Sequence, residues 1–345
     1  MQERPAFSTK LSEPAILANG IDWTLPIGGG GVIEFQLRDI RRERTGVHAL
    51  VALSLNSAIL DSDTFNIGRG PDRNRLAKSA HGQMDAQYRA LYPVGEFQHD
   101  LQIVCLQAPR LWEEARIQVS YDVDAEPPPP VWVLYPYVVE GAGTILFAKP
   151  GSAKSYCLQT MAICVASGHG SLWTVRQRPV LYVNLERSQS SLERRGFAIR
   201  KALGIAGPSG VQYLHARGMT MTQVERKIRS ITAKQPDTIG ILDSISRAGQ
   251  GSLVEDETAN RISDMLNGCF KTWAAIGHTP RENADHAYGS QMFDAAEDIG
   301  VRIAASAREN SVGMSLTIVK GNDMGKMGPE FLAFDFPGPD QPVAT

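Results

Sequence analysis

Several features that would place this chain in a special class are missing. Its 345 residues include only four cysteines, Cys105, Cys157, Cys164 and Cys269, and no CxxC pair. They read as buried free thiols in a reducing compartment, not as a disulfide framework. No apolar run approaches the ~18 residues that a membrane span needs, and no signal-type leader is visible. The reading is a soluble, cytoplasmic protein with no membrane partner. Charge is nearly balanced, with a formal net of -2, so no global basic character announces nucleic acid. No internal repeat is evident.

What is present is ample hydrophobic residue content, 43%, on a length that suggests two domains. The clearest boundary is Ala125-Glu126-Pro127-Pro128-Pro129-Pro130. Consecutive prolines fit neither a helix nor a central strand, so this segment reads as a stiff extended spacer. The expected division is an accessory domain over 1–126, a proline linker at 127–130 and a second domain over 131–345.

In the first domain Ile33, Phe35 and Leu37 alternate with Glu34, Gln36 and Arg38, and Val47 to Leu55 alternate again after a charged turn. This predicts a β-hairpin with one buried face. Residues 71–92 read as a polar helix and 97–107 as a further apolar segment, giving a small α+β domain without visible chemistry. Arg41, Arg42, Arg44, Arg69, Arg73, Arg75 and Lys78 offer either phosphate contacts or a solvated charged surface.

Beyond the linker, strands and helices alternate. Strands are expected at 143–149, 180–186, 211–215, 238–244 and 273–278, with an antiparallel extension from 300–305, 313–320 and 330–336. Residues 155–167 are apolar nearly all round and predict a buried helix. Thr222 and Glu225 suggest a capping box, and Ala259, Ile262, Leu266 and Cys269 trace another apolar stripe. The fold class is α/β, a mainly parallel sheet covered on both faces.

Residues 144–155, TILFAKPGSAKS, set a strand, a tight turn and a helix start in a row. Backbone N–H groups, a helix N-terminus and a lysine then aim at one point, which is what a polyphosphate needs. Pro150, Gly151, Ser152, Ala153, Lys154, Ser155 and Tyr156 form the nucleotide-binding candidate. Lys154 would reach the β- and γ-phosphates, and Ser155 would bind Mg²⁺. The pattern G-x-x-x-x-G-K-[ST] is imperfect here, because Ala148 and Ala153 stand at its glycine positions. Alanine in a left-handed conformation costs about 1–2 kcal/mol, so a reshaped loop or a weaker grip is expected.

Three more strands end in polar side chains. Thr238 to Ser244 carries Asp243 at its tip, either a Mg²⁺ ligand or a turn-capping carboxylate. Val180 to Glu186 ends in Glu186, either the group that polarises the attacking water or a surface partner of Arg187 or Arg194. Trp273 to His278 ends in His278, a γ-phosphate sensor or a structural histidine.

Together these stretches resemble a RecA-like ATPase. ILFAKPGSAKSYCLQTMAICVASG, RPVLYVNLERSQSSLERR, TIGILDSISRAG, AAIGHTPRENADHAYGSQMFD and VGMSLTIVKGN are most similar to the branch of hexameric RepA-type plasmid helicases and related phage and mobile-element ATPases. The resemblance implies a P-loop NTPase core with ATP and Mg²⁺ as cofactors. It puts the catalytic carboxylate at Glu186, the Walker B aspartate at Asp243 and the polar sensor at His278. It also implies a homo-oligomeric ring or filament in which Lys320 completes a neighbour's site. A second basic finger is absent, since Asn322 stands there. Gly289-Ser290 matches a step that follows a mobile loop.

The expected function is ATP hydrolysis coupled to single-stranded DNA, helicase- or recombinase-like, with Arg247, Arg281 and His286 as candidate DNA contacts. An ATP-dependent regulatory or scaffold protein of the same fold, and a degenerate P-loop protein, stand as alternatives.

Overall fold

The alternation at Ile33, Phe35 and Leu37 makes a one-sided strand because successive side chains point to opposite faces. In the computed structural model that face is fully buried. The structure describes residues 11–17, 20–115, 117, 119, 126, 128–249, 251–279, 287–325 and 327–336. Two compact units emerge, Met1–Ala125 and Glu126–Thr345, and Pro128, Pro129 and Pro130 carry no regular structure.

The first unit is an antiparallel meander of β1 (Ala15–Leu17), β2 (Gly20–Ile27), β3 (Gly31–Glu43), β4 (Gly46–Leu55) and β5 (Ala58–Asn66). It is followed by helices α1 (Gly70–Gln83), α2 (Ala86–Leu91) and α3 (Val94–Glu114). The expected hairpin is its centre, β3 on β4. The helix expected over 71–92 breaks at Met84 and Asp85, and the apolar segment at 97–107 lies within α3. Phe35 meets Phe97 edge to face at 5.8 Å, inside a core of its own. Several of the arginines offered for phosphate are engaged locally. Arg41 pairs with Glu43, Arg42 with Glu113 and Arg75 with Asp63, and buried Arg73 donates to the Ile67 carbonyl at 2.6 Å.

The second unit runs β6 (Trp132–Tyr135), β7 (Val138–Val139), β8 (Gly143–Ala148), α4 (Lys154–Ser167), β9 (Thr174–Val175), β10 (Val180–Asn184), α5 (Gln189–Ala202), β11 (Gln212–His215), α6 (Met221–Thr232), β12 (Ile239–Asp243), α7 (Ile245–Ala248), α8 (Asp256–Cys269), β13 (Thr272–His278), α9 (Met292–Ala296), β14 (Ile299–Arg308), β15 (Ser311–Gly321) and β16 (Glu330–Asp335). Its main sheet has the order β11-β10-β12-β13-β8-β14-β15-β16, and β6, β7 and β9 form a small separate sheet.

The strands from β11 to β14 are parallel, and only β15 and β16 run antiparallel. The expected extension is therefore shorter by one strand. Residues 300–305 lie in β14, which returns through α9 to pair in parallel with β8. A five-residue helix leaves too little periodicity to be seen in the sequence.

Helices cover both faces of the sheet, each over its own hydrophobic cluster. Helix α4 is buried almost throughout and stops where Gly168 turns left-handed, φ 72°, a common helix C-terminus. The box that starts α6 joins Thr220 to Gln223, not Thr222 to Glu225. The helix begins earlier than expected, and Glu225 instead accepts from Arg229 Nε at 2.8 Å, one turn on.

Candidate functional site

The chain leaves β8 toward β10 on one side and comes back to β14 on the other. A sheet whose connections part in this way leaves a crevice at the carboxyl ends of its strands. The loop Pro150–Ser155 follows β8 at that edge. Its backbone carries two left-handed residues, Gly151 at φ 80° and Ala153 at φ 55°. Ala153 thus adopts the conformation that glycine would take at no steric cost, and the loop keeps its turn despite the alanine. Ala148 is the last residue of β8 and needs no such freedom.

Lys154 and Ser155 open α4 and are both buried. Lys154 Nζ lies 3.3 Å from His278 Nδ1, at the tip of neighbouring β13. Burial pushes the lysine down from its ordinary value, opposed by the negative charges of Glu186 and Asp243. His278 is also pushed down, by burial and then by the lysine beside it. A neutral imidazole with its proton on Nε2 can accept a hydrogen bond from the lysine through Nδ1.

Asp243 ends β12 at 0% exposure. Its Oδ1 faces the Ser155 hydroxyl at 3.5 Å, and its Oδ2 accepts from the Tyr182 hydroxyl at 2.9 Å. Burial raises its carboxyl above the usual range. The Tyr182 bond and the charges of Arg195 and Arg187 pull the other way, while Glu186 adds to the rise.

Glu186 sits two residues past β10. Asn184 turns the chain there: its side-chain oxygen accepts from the backbone N–H groups of Glu186 and Arg187, at 3.3 and 2.8 Å. Such a side-chain turn is typical of asparagine at a strand end. The carboxylate accepts from the Ser244 hydroxyl at 2.9 Å, so Glu186 is tied to the tip of β12. It makes no ion pair with Arg187 or Arg194 among the described contacts.

Asn184, Ser244, Tyr182 and Arg195 are the residues that sequence reasoning overlooked. The Asp-Ser step and the strand-end asparagine were visible signals. Tyr182 and Arg195 had none, because a tyrosine in an apolar strand and an arginine in a helix look ordinary. Arg195 is buried with its guanidinium 4.1 Å over the Tyr156 ring, and its Nε and Nη1 have no hydrogen-bond partner among the described residues.

Other candidates lie apart. Lys320 pairs in register with Gly300, which itself pairs with Ile145, well before the loop along the sheet. Its ammonium donates to the carbonyls of Asp294 and Glu297 at the end of α9. It therefore takes no part in its own chain's site. Arg247 is exposed on α7, just past β12. Arg281 and His286 lie outside the described residues.

The donor set suits a triphosphate with a hard cation. Ser152 Oγ and Thr279 Oγ1 are buried beside the loop without hydrogen-bond partners among the described residues, and both line a cleft of about 460 Å³ with Lys149, Pro150, Gly151 and Arg302. Among the described residues no three histidine, cysteine or carboxylate side chains cluster to cage a metal. One hydroxyl and one carboxylate oxygen match Mg²⁺, which keeps few protein ligands and shares the rest with phosphate and water.

Residues 108–279 match a family model described as an AAA domain, a span that contains the loop, Glu186, Asp243 and His278. No curated protein matches the chain. Among solved structures, a KaiC-like protein from the hyperthermophilic archaeon Pyrococcus horikoshii is similar at 13% identity and a TM-score of 0.41, covering 61% of this chain and 92% of that one. No helix among the described residues is long and apolar enough to cross a membrane.

Proposed function

We propose that this RecA-like P-loop ATPase domain cleaves ATP by in-line attack of water on the γ-phosphate, with Mg²⁺. One observation carries the reading: Lys154, Ser155, Asp243, Glu186 and His278, from four separate strand tips, meet at one edge of the sheet.

Lys154 and the loop amides hold the phosphates, and His278, released from Lys154, reads the γ-phosphate. Ser155 and Asp243 would hold Mg²⁺, which supplies charge neutralisation on the phosphate oxygens. Glu186, fixed by Ser244, orients the water and takes its proton. The nucleoside would leave the loop toward the cleft lined by Lys149, Thr279 and Arg302.

Single-stranded DNA is the proposed effector and a homo-oligomer of the RepA-like type the proposed assembly. The likeness of motif order supports both, together with exposed Arg247. Lys320 would serve a neighbouring copy after leaving the α9 carbonyls.

The test is ATP turnover with and without single-stranded DNA. Lys154→Ala should abolish hydrolysis. Glu186→Gln should keep nucleotide binding and lose turnover by about 10²–10⁴-fold. Parent-like hydrolysis in both variants would sink the assignment. If the parent hydrolyses ATP without DNA stimulation or salt-sensitive DNA binding, the DNA role falls and an ATP-dependent switch stands in its place.

A further inference from the structure

Tyr182 is wholly buried, flanked in β10 by Val180, Leu181 and Val183. Its register partner on β12 is Ile241, and Asn184 stands opposite Asp243. Tyr182 and Asp243 are thus diagonal neighbours on one sheet face. A diagonal position on the neighbouring strand is reached only by a long side chain. The bridge ends in the 2.9 Å bond from the phenol to Asp243 Oδ2, a hydrogen bond to a carboxylate within a buried setting.

An aspartate's terminal torsion is broad and roughly two-fold, so packing alone fixes its carboxylate plane poorly. With Oδ2 held by Tyr182, Oδ1 is left toward Ser155 Oγ at 3.5 Å. The two oxygens have different jobs because one is occupied.

The phenol is braced in turn. The Tyr182 ring lies 5.6 Å from that of Tyr213 on β11. The Tyr213 hydroxyl accepts from Gln159 Nε2 at 3.2 Å. Gln159 sits one turn after Ser155 on the same face of α4. Contacts therefore run from Gln159 on α4 through Tyr213 and Tyr182 to Asp243, while Ser155, one helical turn before Gln159, faces the other oxygen of the same carboxylate.

We propose that Tyr182 is a positioning residue for the metal: its hydroxyl orients the Asp243 carboxylate so that the second oxygen, with Ser155, is presented to Mg²⁺. This rests on the ATPase reading of the same site. It goes beyond that reading in assigning the metal's orientation to a side chain that touches neither metal nor nucleotide.

The experiment uses the full chain and the fluorescent nucleotide mant-ADP, titrated in EDTA and then with Mg²⁺. Tyr182→Phe and Tyr182→Met both fill the space without a donor. For either variant that folds, affinity in EDTA should stay within about twofold of the parent. The Mg²⁺ concentration giving half of the metal-dependent gain should rise about tenfold, the usual scale for losing an outer partner of a metal ligand. In an Asp243→Asn background, Tyr182→Phe should add no further shift. A folded variant with lower thermal stability but an unchanged Mg²⁺ midpoint overturns the proposal, as does a further shift in the Asn background. If neither variant folds, the hydroxyl is a requirement of the fold and the proposal fails. Failure of the parent itself to bind mant-ADP would refute the nucleotide reading instead, and the parent control tells the two apart.

Discussion

Replacing Ala153 by glycine should make this protein more stable, the reverse of what glycine does inside most elements. Ala153 holds φ 55° and ψ 19° at the position that starts α4. A left-handed conformation costs an L-residue about 1–2 kcal/mol. Glycine removes that cost but adds about 0.4–1 kcal/mol of unfolded-state entropy. The balance is a gain of about 0.5–1 kcal/mol. For a unit of this size that is a rise of roughly 1–4 °C in melting temperature.

Gly151 supplies the mirror experiment. A Cβ built there meets nothing within 4 Å among the described residues, so Gly151→Ala carries only the backbone term at φ 80° and should lower the melting temperature by about the same amount. The assay is differential scanning calorimetry of the full chain, read in the transition that ATP with Mg²⁺ moves upward. A fall in stability for Ala153→Gly, or a rise for Gly151→Ala, would refute the loop conformation on which the phosphate grip depends.

Glu297 is 2% exposed, and burial with Asp294 and Asp298 nearby pushes its carboxyl up to about 8 against the pull of Lys320. The native state then keeps a proton that the unfolded chain releases near pH 4.5, so stability falls as pH rises from there to about 8. Glu297→Gln should remove that slope and be more stable at pH 8 by about 3–5 kcal/mol, measured as urea midpoints from pH 5 to 9; parallel profiles for parent and variant would contradict it. Gly240→Ala places a Cβ 2.4 Å from the Phe270 ring in the middle of β12. It should cost about 1–3 kcal/mol by overpacking, and an unchanged melting temperature would show that the strand has room to shift.

Much of the second unit's architecture was legible in order along the chain. Strands expected at 143–149, 180–186, 238–244 and 273–278 fall on β8, β10, β12 and β13, because a strand buried on both faces is a short apolar run with turn residues at its ends. Strand β14 was harder, since partner and direction are not written in a strand's own pattern. Residues 132–135, 138–139 and 174–175, which form β6, β7 and β9, were missed because two- to four-residue strands carry no period. The capping box slipped by two residues because Thr220 and Thr222 both begin plausible starts.

By itself the sequence determined which positions carry polar side chains at strand tips, and that a lysine and a hydroxyl open a helix behind a tight turn. Local chemistry decides such things: backbone preference, alternation and the ends of apolar runs. Only the tertiary structure decided that β13 lies between β8 and β12, which brings His278 within 3.3 Å of Lys154. It alone put Ser244 on Glu186, Tyr182 on Asp243 and Lys320 on the carbonyls of α9. These contacts join residues 23 to 124 positions apart. They follow from strand order and register, which depend on how all the strands and helices pack together and on no single segment.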